Sequence, residues 1–245
     1  METPKFVNDD SYLHPFAQVV TDRLVAARRK ESEILYGKNL SDFAQGHKWY
    51  GLHRENGLWV LRDWAPNATA MYLVGEFNNW QETPGYALSR VESGDWELRL
   101  PLKMMKHGDL FAFSIHWPGG QGKRIPAWIN RVVQDDHTKM FNAQVWAPDK
   151  PYKWKHPKFR RATGAPLIYE AHVGMAGEDY RVHTYNEFRE NVLPRIQAAG
   201  YNTLQLMAVP EHPYYGSFGY HVSSFFAPSS RFGTPEELKQ LVDEA

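Results

Sequence analysis

The spacing of apolar residues changes along this chain, and that change limits the folds open to it more than any other feature. From about Trp49 to Trp117 the period is two. Residues 57–64 (GLWVLRDW) follow the turn signal Glu55-Asn56-Gly57, and residues 69–77 alternate Ala70, Tyr72 and Val74 against Met71 and Leu73. Residues 95–100 alternate Trp96, Leu98 and Leu100 against Glu97 and Arg99, after the turn signal Ser93-Gly94-Asp95. Residues 109–117 place Phe111, Phe113, Ile115 and Trp117 on one face. Short alternating strands with turn signals between them predict an antiparallel β-sandwich.

Beyond Leu167 the pattern becomes strand, helix, strand. Residues 167–173 read as a strand, and Thr184-Tyr185-Asn186-Glu187 fits a capping box, in which hydroxyl and carboxylate each satisfy an exposed backbone N–H. Phe188, Val192 and Ile196 recur at spacing four, and Gly200 suits the left-handed helix end. Pro194 lies inside this helix and is expected to bend it by removing the bond to residue 190. Thr203 to Val209 forms the second strand. Such a unit is a parallel βαβ. A further helix starts after Gly233, with Thr234, Pro235 and Glu237 as its start signals and Leu238, Leu241 and Val242 as its buried stripe.

Two regions flank these patterns. Residues 12–36 read as a packing helix with Phe16, Val19, Val20, Leu24 and Ala27 on one face and Gly37 as its stop. Pro118 to Pro166 reads as mostly irregular, with Gly119-Gly120-Gln121-Gly122 as a turn between strands.

Composition narrows the function. Lys and Arg number 28, as do Asp and Glu, which argues against bulk attraction to nucleic acid or an anionic membrane. The basic run Lys153 to Arg161 reads as a solvated surface. There is no cysteine, so disulfides and thiolate metal sites are excluded. The start, METPKFVNDDSYLHPF, lacks a basic segment followed by an apolar one, and no run reaches the ~20 apolar residues of a membrane span, so a cytoplasmic protein is expected. The 9 Trp, 13 Tyr and 13 Phe mostly suit a core, and they also suit the flat apolar platforms on which sugar rings stack.

Candidate chemistry gathers at the carboxyl ends of the two parallel strands. Glu170 and Glu211 both lie there, and two carboxylates flanking a bond serve glycoside cleavage; the plainer reading, adopted here, is that each binds backbone or a polar neighbour. His172, His183, His212 and His221 crowd the same face without a metal-ligand motif, and read as hydrogen-bonding or substrate-contacting groups. No phosphate-binding glycine motif and no nucleophile elbow is present. The aromatic loop Tyr214-Tyr215-Gly216-Ser217-Phe218-Gly219-Tyr220-His221 is the best candidate, with Tyr220 as its sugar contact.

These residues resemble a known family. Residues 211–245 (EHPYYGSFGYHVSSFFAPSSRFGTPEELKQLVDEA) resemble the second βα unit of 1,4-α-glucan branching enzymes of the α-amylase superfamily. LIYEAHVG resembles the family's first barrel strand, and LPRIQAAGYNTLQLMAVPEHP its first helix and second strand, with Met207-Ala208-Val209-Pro210 departing slightly from the usual wording. Residues 49–80, ending in Phe77-Asn78-Asn79-Trp80, resemble the glycogen-binding β-sandwich module that precedes the barrel. The resemblance implies an immunoglobulin-like sandwich followed by the first two βα units of a (β/α)8 barrel. It divides the chain into a helical segment 1–48, a sandwich with its linker 49–160, and the start of the barrel 161–245.

The implied reaction is transglycosylation. A carboxylate nucleophile cleaves an α-1,4 bond, a Glu acts as acid then base, and a sugar 6-hydroxyl accepts the chain, with no metal or organic cofactor needed. The family's nucleophile and acid/base belong to later barrel strands, whose motifs are missing here, so no catalytic residue is assigned and the 245 residues are expected to be inactive alone. Carried over are Tyr220, under the sugar at the cleavage subsite, and Trp80 as a stacking position of the module; Tyr214, Tyr215 and His221 are read from the aromatic loop itself as further substrate-binding candidates. The implied partner is α-1,4-glucan: glycogen, amylose or amylopectin. An uncovered parallel sheet edge favours self-association. The alternatives are a non-enzymatic glucan-binding protein, a debranching or trehalose-releasing relative, and a structural protein.

Overall fold

The computed structural model describes residues 3–91, 94–161 and 163–245; the serine of the expected Ser93-Gly94-Asp95 turn lies outside them. The chain falls into two units, Met1–Trp49 and Tyr50–Ala245.

Among the described residues the first unit holds four α-helices, α1 (Lys5–Asp9), α2 (Ala17–Leu35), α3 (Leu40–Phe43) and α4 (Gly46–Trp49). α2 ends on Tyr36 in the left-handed region, φ 47°, followed by Gly37 at φ 83°, where the sequence places its stop. The expected packing stripe is not buried: Phe16 and Val19 are exposed, and Thr21 is the buried residue of α2. The other helices here are four or five residues long and offer no broad surface to cover the stripe. No helix among the described residues is long and apolar enough to cross a membrane.

The second unit begins with a β-sandwich. Its strands are β1 (Gly51–Glu55), β2 (Leu58–Trp64), β3 (Ala70–Gly75), β4 (Ser89–Arg90), β5 (Asp95–Pro101), β6 (Leu110–Trp117), β7 (Gly120–Arg124), β8 (Val132–Gln134) and β9 (Phe141–Gln144). One antiparallel sheet has the order β1-β2-β5-β4; the other has β3-β6-β9-β8, with β7 paired to β6. Trp59, Leu61 and Leu98 of the first sheet share a buried core with Met71, Leu73, Phe111 and Phe113 of the second. The alternation read from the sequence thus selects the inward faces. The β1–β2 hairpin turns on Asn56 and Gly57, at φ 49° and 78°, with Glu55 opposite Leu58. Two left-handed residues between paired strands match the strands' right-handed twist.

Residues 118–166 are more regular than expected, because β7, β8 and β9 lie within them. Gly119 makes the turn at φ 90°, but Gly120 and Gly122 belong to β7. A Cβ on Gly120 would sit 3.1 Å from the Trp117 indole, and one on Gly122 would sit 3.3 Å from it. The glycines make room for that ring rather than ending a strand. β8 and β9 have three and four residues, too few to show a period, and are held by the buried Val132 and Ala143.

The rest is built on a parallel pair, β10 (Ile168–His172) and β11 (Thr203–Met207), in register from Ile168 opposite Thr203 to His172 opposite Met207. The connecting helix has three parts: α5 (Tyr185–Glu187), a π-helical segment Phe188–Val192, and α6 (Leu193–Ala198). The capping box of Thr184 and Glu187 is present. The wider π turn comes immediately before Pro194 and leaves it in the first turn of α6, where a missing N–H costs least. β11 stops at Met207, short of Val209, because Ala208 turns left-handed at φ 57°. The two-stranded β12 (Pro210–Glu211) and β13 (Ser224–Pro228) follow, then α7 (Pro235–Glu244), capped by Thr234 and Glu237 as expected. Leu241 is fully buried and Leu238 partly, but Val242 is 54% exposed; Asp243 takes the buried place.

Candidate functional site

The aromatic loop spans 212–223, between β12 and β13. Its base is Glu211. This carboxylate is fully buried and accepts from the Ser230 N–H at 2.7 Å, the His212 N–H at 3.1 Å and the Ser229 hydroxyl at 3.4 Å. Its carbonyl accepts from the Ser223 N–H at 2.9 Å, which closes the loop. Glu170 is exposed and accepts from Gln205, its neighbour in register on β11. The two carboxylates do not flank a common reacting bond: one is sealed among protein donors and the other is on the strand surface.

Within the loop the aromatic residues divide by task. Tyr215 is half-buried, donates its hydroxyl to the Gly174 carbonyl at 3.1 Å and meets the His172 ring edge-on at 6.0 Å; burial pushes its phenol pKa up. It holds the loop onto the end of β10. Tyr214 and His221 are exposed, and Tyr220 is 76% exposed with no hydrogen-bond partner for its hydroxyl among the described residues. Tyr220, Phe218 and Met207 line a cleft of about 510 Å³ together with Tyr169, Glu170 and His172.

Backbone geometry sets the height of Tyr220. Phe218 and Gly219 are both left-handed, at φ 52° and 82°, and the Tyr220 N–H donates to the Ser217 carbonyl at 3.0 Å. A Cβ on Gly219 would lie 2.4 Å from both Cα and Cβ of Ala208. The loop therefore crosses the end of β11 at a distance only glycine allows. Gly57, at φ 78° with nothing near a would-be Cβ, provides a control. Gly57→Ala should cost about 1 kcal/mol of strain, and Gly219→Ala about 2–3 kcal/mol once the contact is added. Chemical denaturation of both variants checks this; equal losses would show that the crossing does not matter.

The four histidines do not converge. Both ring nitrogens of His172 are buried without a partner among the described residues, and burial pushes its pKa down, so it stays neutral near pH 7. Phe232 packs edge-on against it at 5.6 Å. His212 is fully buried with Nδ1 3.1 Å from the Pro210 carbonyl, and His183 is buried 3.7 Å from Glu187. Among the described residues no three His, Asp or Glu side chains are grouped to hold a metal.

Trp80 lies apart from the loop, on the sandwich. It is left-handed at φ 60°, its N–H donates to the Gly75 carbonyl at 2.8 Å, and the Lys123 ammonium sits 4.9 Å over its half-buried ring. Lys123 is opposite Ser114 in the β6–β7 register. Ser114 donates to Glu82 at 2.6 Å, and His116 Nε2 lies 2.8 Å from the same oxygen. These contacts hold the Glu82 carboxyl below its usual range. Sequence reading missed Glu82, His116 and Lys123. The signal was present: residues 114 and 116 alternate with the buried Phe113 and partly buried Ile115, and so face outward beside Tyr72.

Residues 49–129 match carbohydrate-binding module 48 (isoamylase N-terminal domain). The chain is 42% identical to a 1,4-alpha-glucan-branching enzyme of Rhizophagus irregularis over 99% of its own length and 36% of that protein's. It is 41% identical to the one from Saccharomyces cerevisiae, over 98% of this chain and 37% of the relative. It is also 43% identical to a chloroplastic/amyloplastic 1,4-alpha-glucan-branching enzyme of Arabidopsis thaliana, over 89% and 28%. The chain thus spans 28% to 37% of the length of these relatives. Among solved structures it resembles a putative alpha amylase from Salmonella typhimurium, with TM-score 0.63 and 18% identity over 80% of this chain and 31% of that one. It also resembles a pullulanase from Bacillus acidopullulyticus, with TM-score 0.61 and 17% identity over 80% and 28%. At these identities the structural likeness speaks for the fold alone.

Proposed function

We propose that this chain, homologous over nearly its whole length to 1,4-alpha-glucan-branching enzymes and carrying a carbohydrate-binding module 48, is the glucan-recognising N-terminal portion of such an enzyme. In this reading β10, β11 and their helices are the first two βα units of a (β/α)8 barrel, and residues 1–48, 49–160 and 161–245 form its helical, sandwich and barrel segments. The α-glucan lies across the carboxyl ends of the parallel strands, where active sites of such barrels form. The whole enzyme cleaves an α-1,4 bond and passes the chain to a 6-hydroxyl by retaining double displacement. Glu170 and Glu211 do not supply that chemistry, because each is committed to protein partners. The 245 residues therefore bind glucan without branching it.

One observation carries this reading. Tyr220 is exposed beside the strand ends while Tyr215, five residues earlier in the same loop, is spent on anchoring. Its exposed ring offers a glucose unit an apolar face, and Trp80 offers a second platform on the sandwich. Calorimetric titration with maltoheptaose tests the idea. Tyr220→Ala should weaken binding roughly tenfold, the scale of one lost ring contact. Binding unchanged in both Tyr220→Ala and Trp80→Ala would sink it. The chain alone should leave the iodine-stained spectrum of amylose unchanged, and a clear spectral change would refute the non-catalytic assignment.

A further inference from the structure

The sandwich does more than offer its own platform. We infer that Trp128 and Arg131, at the edge of the sandwich, are positioning residues for the aromatic loop that carries Tyr220. This rests on Tyr220 contacting glucan, and it concerns what holds Tyr220 in place.

Both ends of the loop are referenced to the sandwich. The outgoing end is β13. Its Phe226 stacks on Trp128, with ring centroids 4.1 Å apart and planes 19° from parallel, and Trp128 in turn stacks on Tyr50 at 5.3 Å and 25°. Ala227, the next residue, is 1% exposed and packs within the sandwich core itself. Trp128 has little freedom to shift, because its carbonyl lies where a Cβ on Gly51 would come within 2.6 Å. The slab of three rings therefore takes its position from β1 of the sandwich, and β13 takes its position from the slab.

The incoming end is Glu211, and it is tied less directly. Arg131 is 8% exposed and donates through Nη1 to the Gly233 carbonyl at 2.8 Å, with its guanidinium 5.1 Å over the Trp146 ring. Gly233 closes the short turn Ser230–Phe232. The first residue of that turn, Ser230, gives its N–H to Glu211. Arg131 thus places the turn, the turn places Glu211, and Glu211 begins the loop. Between these two anchors the loop is held by Tyr215, by the Gly219 crossing and by Arg231, which lies in the same turn and donates to the Pro213 carbonyl at 2.8 Å. A shift of the sandwich edge is carried into the height of Tyr220 rather than absorbed.

The test measures maltoheptaose binding by the 245-residue chain in a Trp80→Ala background, so that the sandwich's own platform is silent. Trp128→Ala should weaken binding about five- to tenfold, close to the loss in Tyr220→Ala, and the double variant should be no weaker than Tyr220→Ala alone. Trp128→Phe, which keeps an aromatic plane, should restore binding to within about twofold of the background. Trp128→Ala binding like the background, or losses that multiply in the double variant, would overturn the inference. Should Trp128→Ala not fold, Phe226→Leu removes the same stack from a position 43% exposed and is read by the same criteria. If Tyr220→Ala itself leaves binding unchanged, the glucan reading of the loop falls and takes this inference with it. If Tyr220→Ala weakens binding and both stack variants leave it intact, only the positioning role falls.

Discussion

A Glu211→Leu chain is expected to lose about 3–4 kcal/mol of stability. The reasons lie in what the carboxylate satisfies. Glu211 is fully buried and receives the N–H groups of His212 and Ser230 and the Ser229 hydroxyl, which is itself fully buried. Leucine fills similar space but accepts nothing, so these donors are left buried and unmatched. The buried Arg131 guanidinium, which Glu211 stabilises electrostatically, also loses a compensating charge; burial already pulls the Arg131 pKa down. Glu211→Gln is the informative companion. It keeps an oxygen for the Ser230 N–H and should cost about 1–2 kcal/mol. Urea denaturation followed by tryptophan fluorescence measures both. A Glu211→Leu loss no larger than that of Glu211→Gln would mean that the carboxylate is not the anchor of the loop.

The same residue shows where reading from sequence stops. Glu211 was legible as a carboxylate at a strand end, and its burial was not, because Ser229 and Ser230 reach it from 18 and 19 residues away. What was legible is local. The two capping boxes, at Thr184 and Thr234, and the Asn56-Gly57 hairpin depend on residues at most three apart, and all three are present. The long alternating strands were legible because each has enough residues to display a period. β8 and β9 have three and four, and they are strands because the facing sheet buries Val132 and Ala143. Pro194 was recognised as a misfit, and the backbone answers with a π turn upstream that leaves the proline in the first turn of α6. In α7 the spacing of Leu238, Leu241 and Val242 suggested one stripe, yet Asp243 is buried and Val242 is not. That exchange is invisible locally, since it is made by a linker some ninety residues earlier in the chain.

That linker is the ground for the second large effect, the release of residues 152–156 from α7 on removal or protonation of Asp243. The segment forms no helix or strand, so its backbone donors need partners from elsewhere. Asp243 supplies them. Its side chain is 1% exposed and accepts from the Tyr152 hydroxyl and the Lys155 N–H, each at 2.6 Å, and from the His156 N–H at 2.9 Å. Glu244 adds ion pairs to Lys155 at 2.9 Å and Arg189 at 2.8 Å. Burial pushes the Asp243 pKa up, but the hydrogen bonds from Lys155, Tyr152 and His156 outweigh it and hold the group at about 2. Lys155 and Arg189 likewise hold Glu244 at about 2. Both values lie below the usual carboxylate range near 4. The stabilisation is therefore complete above about pH 4 and is lost as the pH falls from there toward 2. Acidification over that window should free the linker, seen as faster exchange of the Lys155 and His156 amides, while the sandwich strands keep their protection. Asp243→Ala should do the same at pH 7, with tryptic cleavage after Lys153, Lys155 or Lys158 roughly tenfold faster, the scale of one lost charge-assisted hydrogen bond. The linker follows the sandwich and precedes β10, so the cut would separate Trp80 from Tyr220, the two proposed glucan platforms, along the backbone. Cleavage at an unchanged rate in Asp243→Ala, with the amides still protected at pH 2.5, would show that the linker is not held by this carboxylate.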